Sequence, residues 1–265
     1  MWAISQRGQN LKRVRNYRGA CAVAGLLAAA SGAGVAQAQE ATPTTVSFNV
    51  AVVSDYVFRG ISQTDKQPTV QGGVDVTHGV FYAGAWASGV DFGLDEEMEL
   101  DFYAGVKPVL GPVTLDLGVI WYSYPGLDGS AHGDYLEAKA GASMSPMENL
   151  TVGATLFYSP EFTFTDGESA YYGEVSAAYN FTPNFVVSGA LGYQDVQASD
   201  YYFDFGDGDS TDNYTTVNLG ATYTEKGFSL DGRYYDTDLD TVEVTGPSGK
   251  QIGGKKFVGT LKFGF

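Results

Sequence analysis

Cysteine, histidine and charge are all scarce in this chain, and each scarcity removes a class of function. The single cysteine, Cys21, sits at the start of an apolar run, whereas a lipid-bearing cysteine would end one. Everything after it is thiol-free, so disulfides and thiol chemistry are excluded there. Only two histidines occur, His78 and His132, and neither is matched to a nucleophile. A hydrolase needing a positioned base, or a His/Cys metal centre, therefore has little to work with. No enzyme activity and no cofactor are expected. Charged residues make up only 17% of the sequence. Even so, no stretch reaches the roughly 18 consecutive apolar residues of a membrane-spanning helix. What is plentiful is Gly (35), Tyr (18) and Phe (16), a composition that favours strands and turns over helices.

Residues 1–38 read as a cleaved export signal. Arg7, Lys12, Arg13, Arg15 and Arg18 form a basic leader, Ala20 to Val35 an apolar run of small residues, and Ala36-Gln37-Ala38 a small-x-small cleavage site. Removing those five charges from 15 leaves 10 basic against 31 acidic residues in 39–265. Phosphate binding needs the opposite sign, so a nucleic-acid partner is excluded.

From Val46 onward the residues alternate apolar and polar with a period of two, the signature of strands. Twelve such segments are readable. The first runs from Val46 to Phe58, with Tyr56 and Phe58 on its apolar face; the third places Tyr82, Trp86, Val90 and Phe92 on that face. Short turns at His78-Gly79, 108–112, 145–149, 182–184 and 225–227 interleave with longer polar segments near 60–67, 93–97, 125–133, 159–169, 195–212 and 237–254. Acidic and basic side chains stay off the apolar phase of the strand bodies. These patterns predict an all-β fold, a closed antiparallel transmembrane β-barrel of twelve strands forming one domain over 39–265, with short periplasmic and long extracellular connections. A soluble barrel alternates in the same way. Strand length, aromatic residues at strand ends and the charge-free phase favour the membrane form. The chain ends on an alternating strand in which Leu261, Phe263 and Phe265 share a face; its open edge demands a partner, and the first strand is the one left to supply it.

Several segments carry a family resemblance. Ser54-Asp55-Tyr56-Val57-Phe58-Arg59-Gly60-Ile61-Ser62-Gln63-Thr64, Pro68 to Asp75, Ala85-Trp86-Ala87-Ser88, Val90-Asp91-Phe92, Glu99 to Lys107 and Tyr158 to Phe162 together resemble the TorF-type porin family of proteobacteria. The resemblance implies an exported outer-membrane protein of a Gram-negative bacterium; it supplies neither a substrate nor a catalytic set. The terminal Leu261, Phe263 and Phe265 are similar to the signals read by the barrel-assembly machinery. Lipid, lipopolysaccharide and that machinery are the expected partners.

The polar phase supplies the candidate pore-lining residues: Asp55, Arg59, Asp75, Glu99, Asp101, Lys107, Asp116, Glu137, Lys139, Glu174, Asp231 and Arg233, with Asp91 and Lys262 on the same phase. Acids outnumber bases, which favours cations by Coulomb steering. Pairing is the alternative use of these charges, Asp55 with Arg59 and Asp231 with Arg233. The acidic loop from Asp204 to Asp212 lacks calcium-loop spacing and reads as a solvated loop. Two functions follow: a channel passing small hydrophilic solutes or cations, or a non-conducting barrel acting in surface binding or structure.

Overall fold

The computed structural model describes residues 43–96, 98–127, 133–165, 167–197, 203–204, 210–241 and 244–265. The export segment 1–38 with Cys21, His132, Tyr201-Tyr202 and residues 205–209 of the acidic loop lie outside the described residues.

Twelve long strands form one antiparallel sheet that closes on itself. They are β1 (Thr44–Val53), β2 (Thr69–His78), β3 (Phe81–Ser88), β4 (Glu99–Val106), β5 (Val113–Ser123) and β6 (Tyr135–Met147). The second half comprises β7 (Leu150–Ser159), β8 (Ala170–Thr182), β9 (Phe185–Val196), β10 (Asn213–Glu225), β11 (Phe228–Thr237) and β12 (Lys256–Gly264). A two-residue strand, Val109–Leu110, lengthens the β4–β5 turn. Each strand pairs with its chain neighbours, and β12 pairs with β1 from Asn49↔Gly264 to Val53↔Thr260. The seam is finished by the terminal residue: the Phe48 N–H donates to the Phe265 carbonyl at 2.8 Å, the Phe265 N–H to the Phe48 carbonyl at 3.0 Å, and the two rings stack at 5.6 Å. The edge that a terminal strand would expose is thereby satisfied.

The tight connections all lie at one end. Positive φ at Gly79 (61°) and Gly227 (86°) is what lets β2–β3 and β10–β11 reverse within two residues. Outside, the barrel is apolar: Phe48, Val52, Phe102, Trp121, Leu156, Leu191, Leu219, Leu230 and Leu261 are all exposed. Rings mark both margins of this band. Trp121, Tyr158, Tyr171, Tyr193, Tyr234 and Phe257 lie toward the long-loop end, and Phe81, Phe181, Tyr223, Phe228 and Phe265 toward the turn end. Such a band satisfied by lipid, with every strand edge paired, is the barrel solution to crossing a bilayer.

The buried core lies inside the barrel, in its long-loop half. Two strand readings change because of it. The first strand stops at Val53, not Phe58, and Tyr56 and Phe58 are buried in that core. In β3, which stops at Ser88, the phase is reversed: Trp86 is buried in the core, as is Phe92 in the connection that follows, and the Tyr82 hydroxyl bonds Asp116, while Phe81, Ala83, Ala85 and Ala87 face out. Ring size misleads there, because the inward positions of β3 are the larger ones and its lipid face is built mostly of alanine.

Candidate functional site

The chain leaves the barrel wall at Ser54 and returns at Thr69, and the segment between folds into the lumen. It is a plug. A miniature hairpin, Val57–Phe58 with Ile61–Ser62, forms its tip. Arg59 (φ 42°) and Gly60 (φ 82°) make the reversal. No side chain fits at Gly60, since a Cβ there would lie 2.2 Å from Thr237 Cγ2 and 2.6 Å from Thr216 Oγ1. Asp55 ties the plug to itself, accepting from Ser62 Oγ at 2.5 Å and Thr64 Oγ1 at 3.1 Å. Burial pushes its carboxyl above the ordinary range; those two hydrogen bonds, with Lys256 nearby, oppose the shift. The Lys256 ammonium donates to the Gly60 carbonyl, fastening the tip to β12.

Arg59 fastens the plug across the lumen. Its Nη2 donates to both Glu137 oxygens, at 2.9 and 2.8 Å, and its Nη1 to Gln194 Oε1 at 2.8 Å. Rings of Tyr172 (4.3 Å), Phe58 (4.4 Å) and Phe157 (5.1 Å) surround the guanidinium carbon. Burial works against the charge on Arg59, and the Glu137 carboxylate outweighs it, so the group is held above its ordinary pKa. Beside this pair, Tyr56 and Tyr124 each donate to Glu99 at 2.9 Å, and Tyr122 donates to Glu137 at 3.0 Å. Asp101 is 3% exposed, and its Oδ1 has no hydrogen-bond partner. Among the described residues no three acids, histidines or cysteines are placed to hold a metal ion.

The turn-side half of the lumen is different. Its charged side chains are half-buried and paired: Asp116 with Lys139 (2.7 Å) and Lys107 (3.7 Å), and Asp231 with Arg233 (3.1 Å). Asp75 accepts from Tyr103 at 2.6 Å and Glu174 from Tyr172 at 2.9 Å. Arg233 also reaches Asn218 and Ser188. Including Lys262, this half holds four acids and four bases. At the level of the plug Asp55, Glu99, Asp101 and Glu137 are buried, with Arg59 paired to Glu137 and the Lys256 ammonium at the tip.

The predicted pore residues thus split into two groups at different heights. The Asp231–Arg233 pair forms as expected, but Arg59 pairs with Glu137 rather than with Asp55. Asp91 lies in a loop, exposed. His78 is at the turn end of β2, hydrogen-bonded to Thr44 Oγ1 at 3.0 Å. Sequence reasoning passed over Tyr122, Phe157, Tyr172 and Gln194. Their signal was present, because the three rings fall on the polar phase of their strands, where a water-filled lumen has no use for them.

Over residues 37–265 the sequence matches a known family, that of the bacterial protein of unknown function Gcw_chp. The chain belongs to the Gcw_chp family. No curated protein sequence matches it. Solved structures that share this Gcw_chp chain's fold include the NanC porin, with a TM-score of 0.54 at 10% identity, and the KdgM porin, at 0.51 and 10%. Each alignment covers 83% of this chain and 99% of the porin. At that identity the likeness shows the barrel architecture.

Proposed function

We propose that the protein is an outer-membrane porin-like channel for small hydrophilic solutes or cations whose outer half is closed by its own plug. The observation that carries the reading is the two-part lumen: a half-buried, charge-paired vestibule on the turn side, stopped by a seated segment whose chain joins the wall at Ser54 and Thr69 and whose packing is shared with Phe92, Phe162, Phe164, Leu239 and Ile252 of other long connections. The porin folds and the resemblance to TorF-type porins support the same reading. Export through residues 1–38, the outer membrane of a Gram-negative bacterium as location, lipopolysaccharide as neighbour and recognition of Phe265, Phe263 and Leu261 by the assembly machinery belong to it. Cation preference belongs to the open state in this reading: when the plug lifts, Glu137 loses Arg59, and Glu99, Asp101 and Glu137 face the path against the single wall cation Lys256.

A second reading, a non-conducting barrel acting in surface binding or structure, draws on the same filled outer lumen. Planar-bilayer recording separates the two. The native protein should open rarely, and a variant with residues 55–67 replaced by a short Gly/Ser linker should conduct steadily and favour cations. A folded linker variant that stays silent in salt would establish the second reading instead.

A further inference from the structure

One guanidinium in this protein is enclosed by four consecutive strands. Glu137 comes from β6, Phe157 from β7, Tyr172 from β8 and Gln194 from β9, and all four act on Arg59 of the plug. Three of these wall groups are set by contacts that do not involve Arg59. The Glu137 carboxylate accepts from Tyr122 at 3.0 Å, the Gln194 amide donates to the Tyr171 carbonyl at 3.1 Å, and the Tyr172 hydroxyl donates to Glu174 at 2.9 Å. The enclosure is therefore organised by the wall, and the plug contributes only the cation and the Phe58 ring.

Its chemistry is selective for a planar cation. Two different nitrogens reach two acceptors on two strands, and the carbon between them lies within 4.3 to 5.1 Å of the Tyr172 and Phe157 rings. A compact ammonium has no second nitrogen for Gln194 and a stronger hold on its water. We propose that Glu137, Phe157, Tyr172 and Gln194 form a guanidinium-binding site of the barrel wall, filled by Arg59 when the plug is seated and offered to a guanidinium-bearing solute when it lifts. The solute's role rests on the channel reading; the binding does not. Arg59 is tethered, so it competes at an effective concentration on the order of millimolar or higher, and a free ligand acts in that range.

The test is calorimetric titration of the refolded Arg59→Ala protein with millimolar guanidinium chloride, far below denaturing levels, against ammonium chloride at equal ionic strength. Saturable guanidinium binding, at least tenfold tighter than ammonium and lost in the Arg59→Ala, Glu137→Gln double variant, is expected. Equal responses to the two cations, or binding that survives Glu137→Gln, overturn the proposal. The linker variant described above presents the same wall site empty and serves if Arg59→Ala does not fold. Bilayer recording of the protein that binds then separates the two claims: binding with no conductance sinks the channel reading and leaves the site standing.

Discussion

Arg59 and Glu137 are worth more as a pair than either is alone. Both side chains are almost fully buried, so removing one strands the other without its counter-charge, a loss of about 3–5 kcal/mol. Arg59→Ala should lower the urea midpoint of the barrel in vesicles and raise channel opening together; a change in neither would show that the pair does not hold the plug. Gly60→Ala should act by another route. Its φ of 82° costs a side chain about 1–3 kcal/mol, and the added methyl meets Thr237 Cγ2 at 2.2 Å. The variant is expected to open more often than the native protein with unchanged ion preference, as read from reversal potentials. At Asp116 the expected outcome is a change of preference instead. Asp116→Asn leaves Lys139 and Lys107 without their shared acid, so the vestibule gains positive charge and the reversal potential should move toward anions.

At the scale of the element, the strands were legible and the plug was not. A strand announces itself by a period of two over ten residues, and this is why the twelve strands and the order of short and long connections could be read from Val46 to Phe265. The plug follows the same alternation at first: Tyr56 and Phe58 continue the apolar phase of β1 beyond Val53, although the backbone has already turned inward at Ser54. Alternation records which side chains avoid water and is silent on whether lipid or a core replaces it. In β3 the same ambiguity inverted the phase, because Trp86 is as apolar as a girdle residue and lies against Tyr56 at 5.3 Å inside the barrel. The charge pairs were half legible. Asp231 and Arg233 are two residues apart on one face, whereas Arg59 and Glu137 are 78 apart and meet only through the fold.

For the whole molecule, closure depends on its two ends. β12 meets β1 over five register pairs, half the ten that join β1 to β2, so the contribution of Phe265 is a large part of that seam. Deleting Phe265 removes two backbone hydrogen bonds and the stack on Phe48. The yield of folded, urea-resistant barrel should fall, while ion preference in the surviving channels stays as in the native protein. Asp116→Asn, at a half-buried position, should do the reverse, leaving assembly intact and altering ion preference; equal effects of the two changes on assembly would contradict this division.

The plug has one more property, visible in its charge count. Between Ser54 and Pro68 it carries two acids, Asp55 and Asp65, and two bases, Arg59 and Lys66. A transmembrane potential does about 2.3 kcal/mol of work on each unit charge carried across 100 mV, but a segment with no net charge that moves as one body draws almost none of it. Opening is then indifferent to voltage, and the open fraction should stay flat as the potential is swept through either polarity. In the proposed channel, then, the seated segment answers to a competing guanidinium rather than to the membrane field.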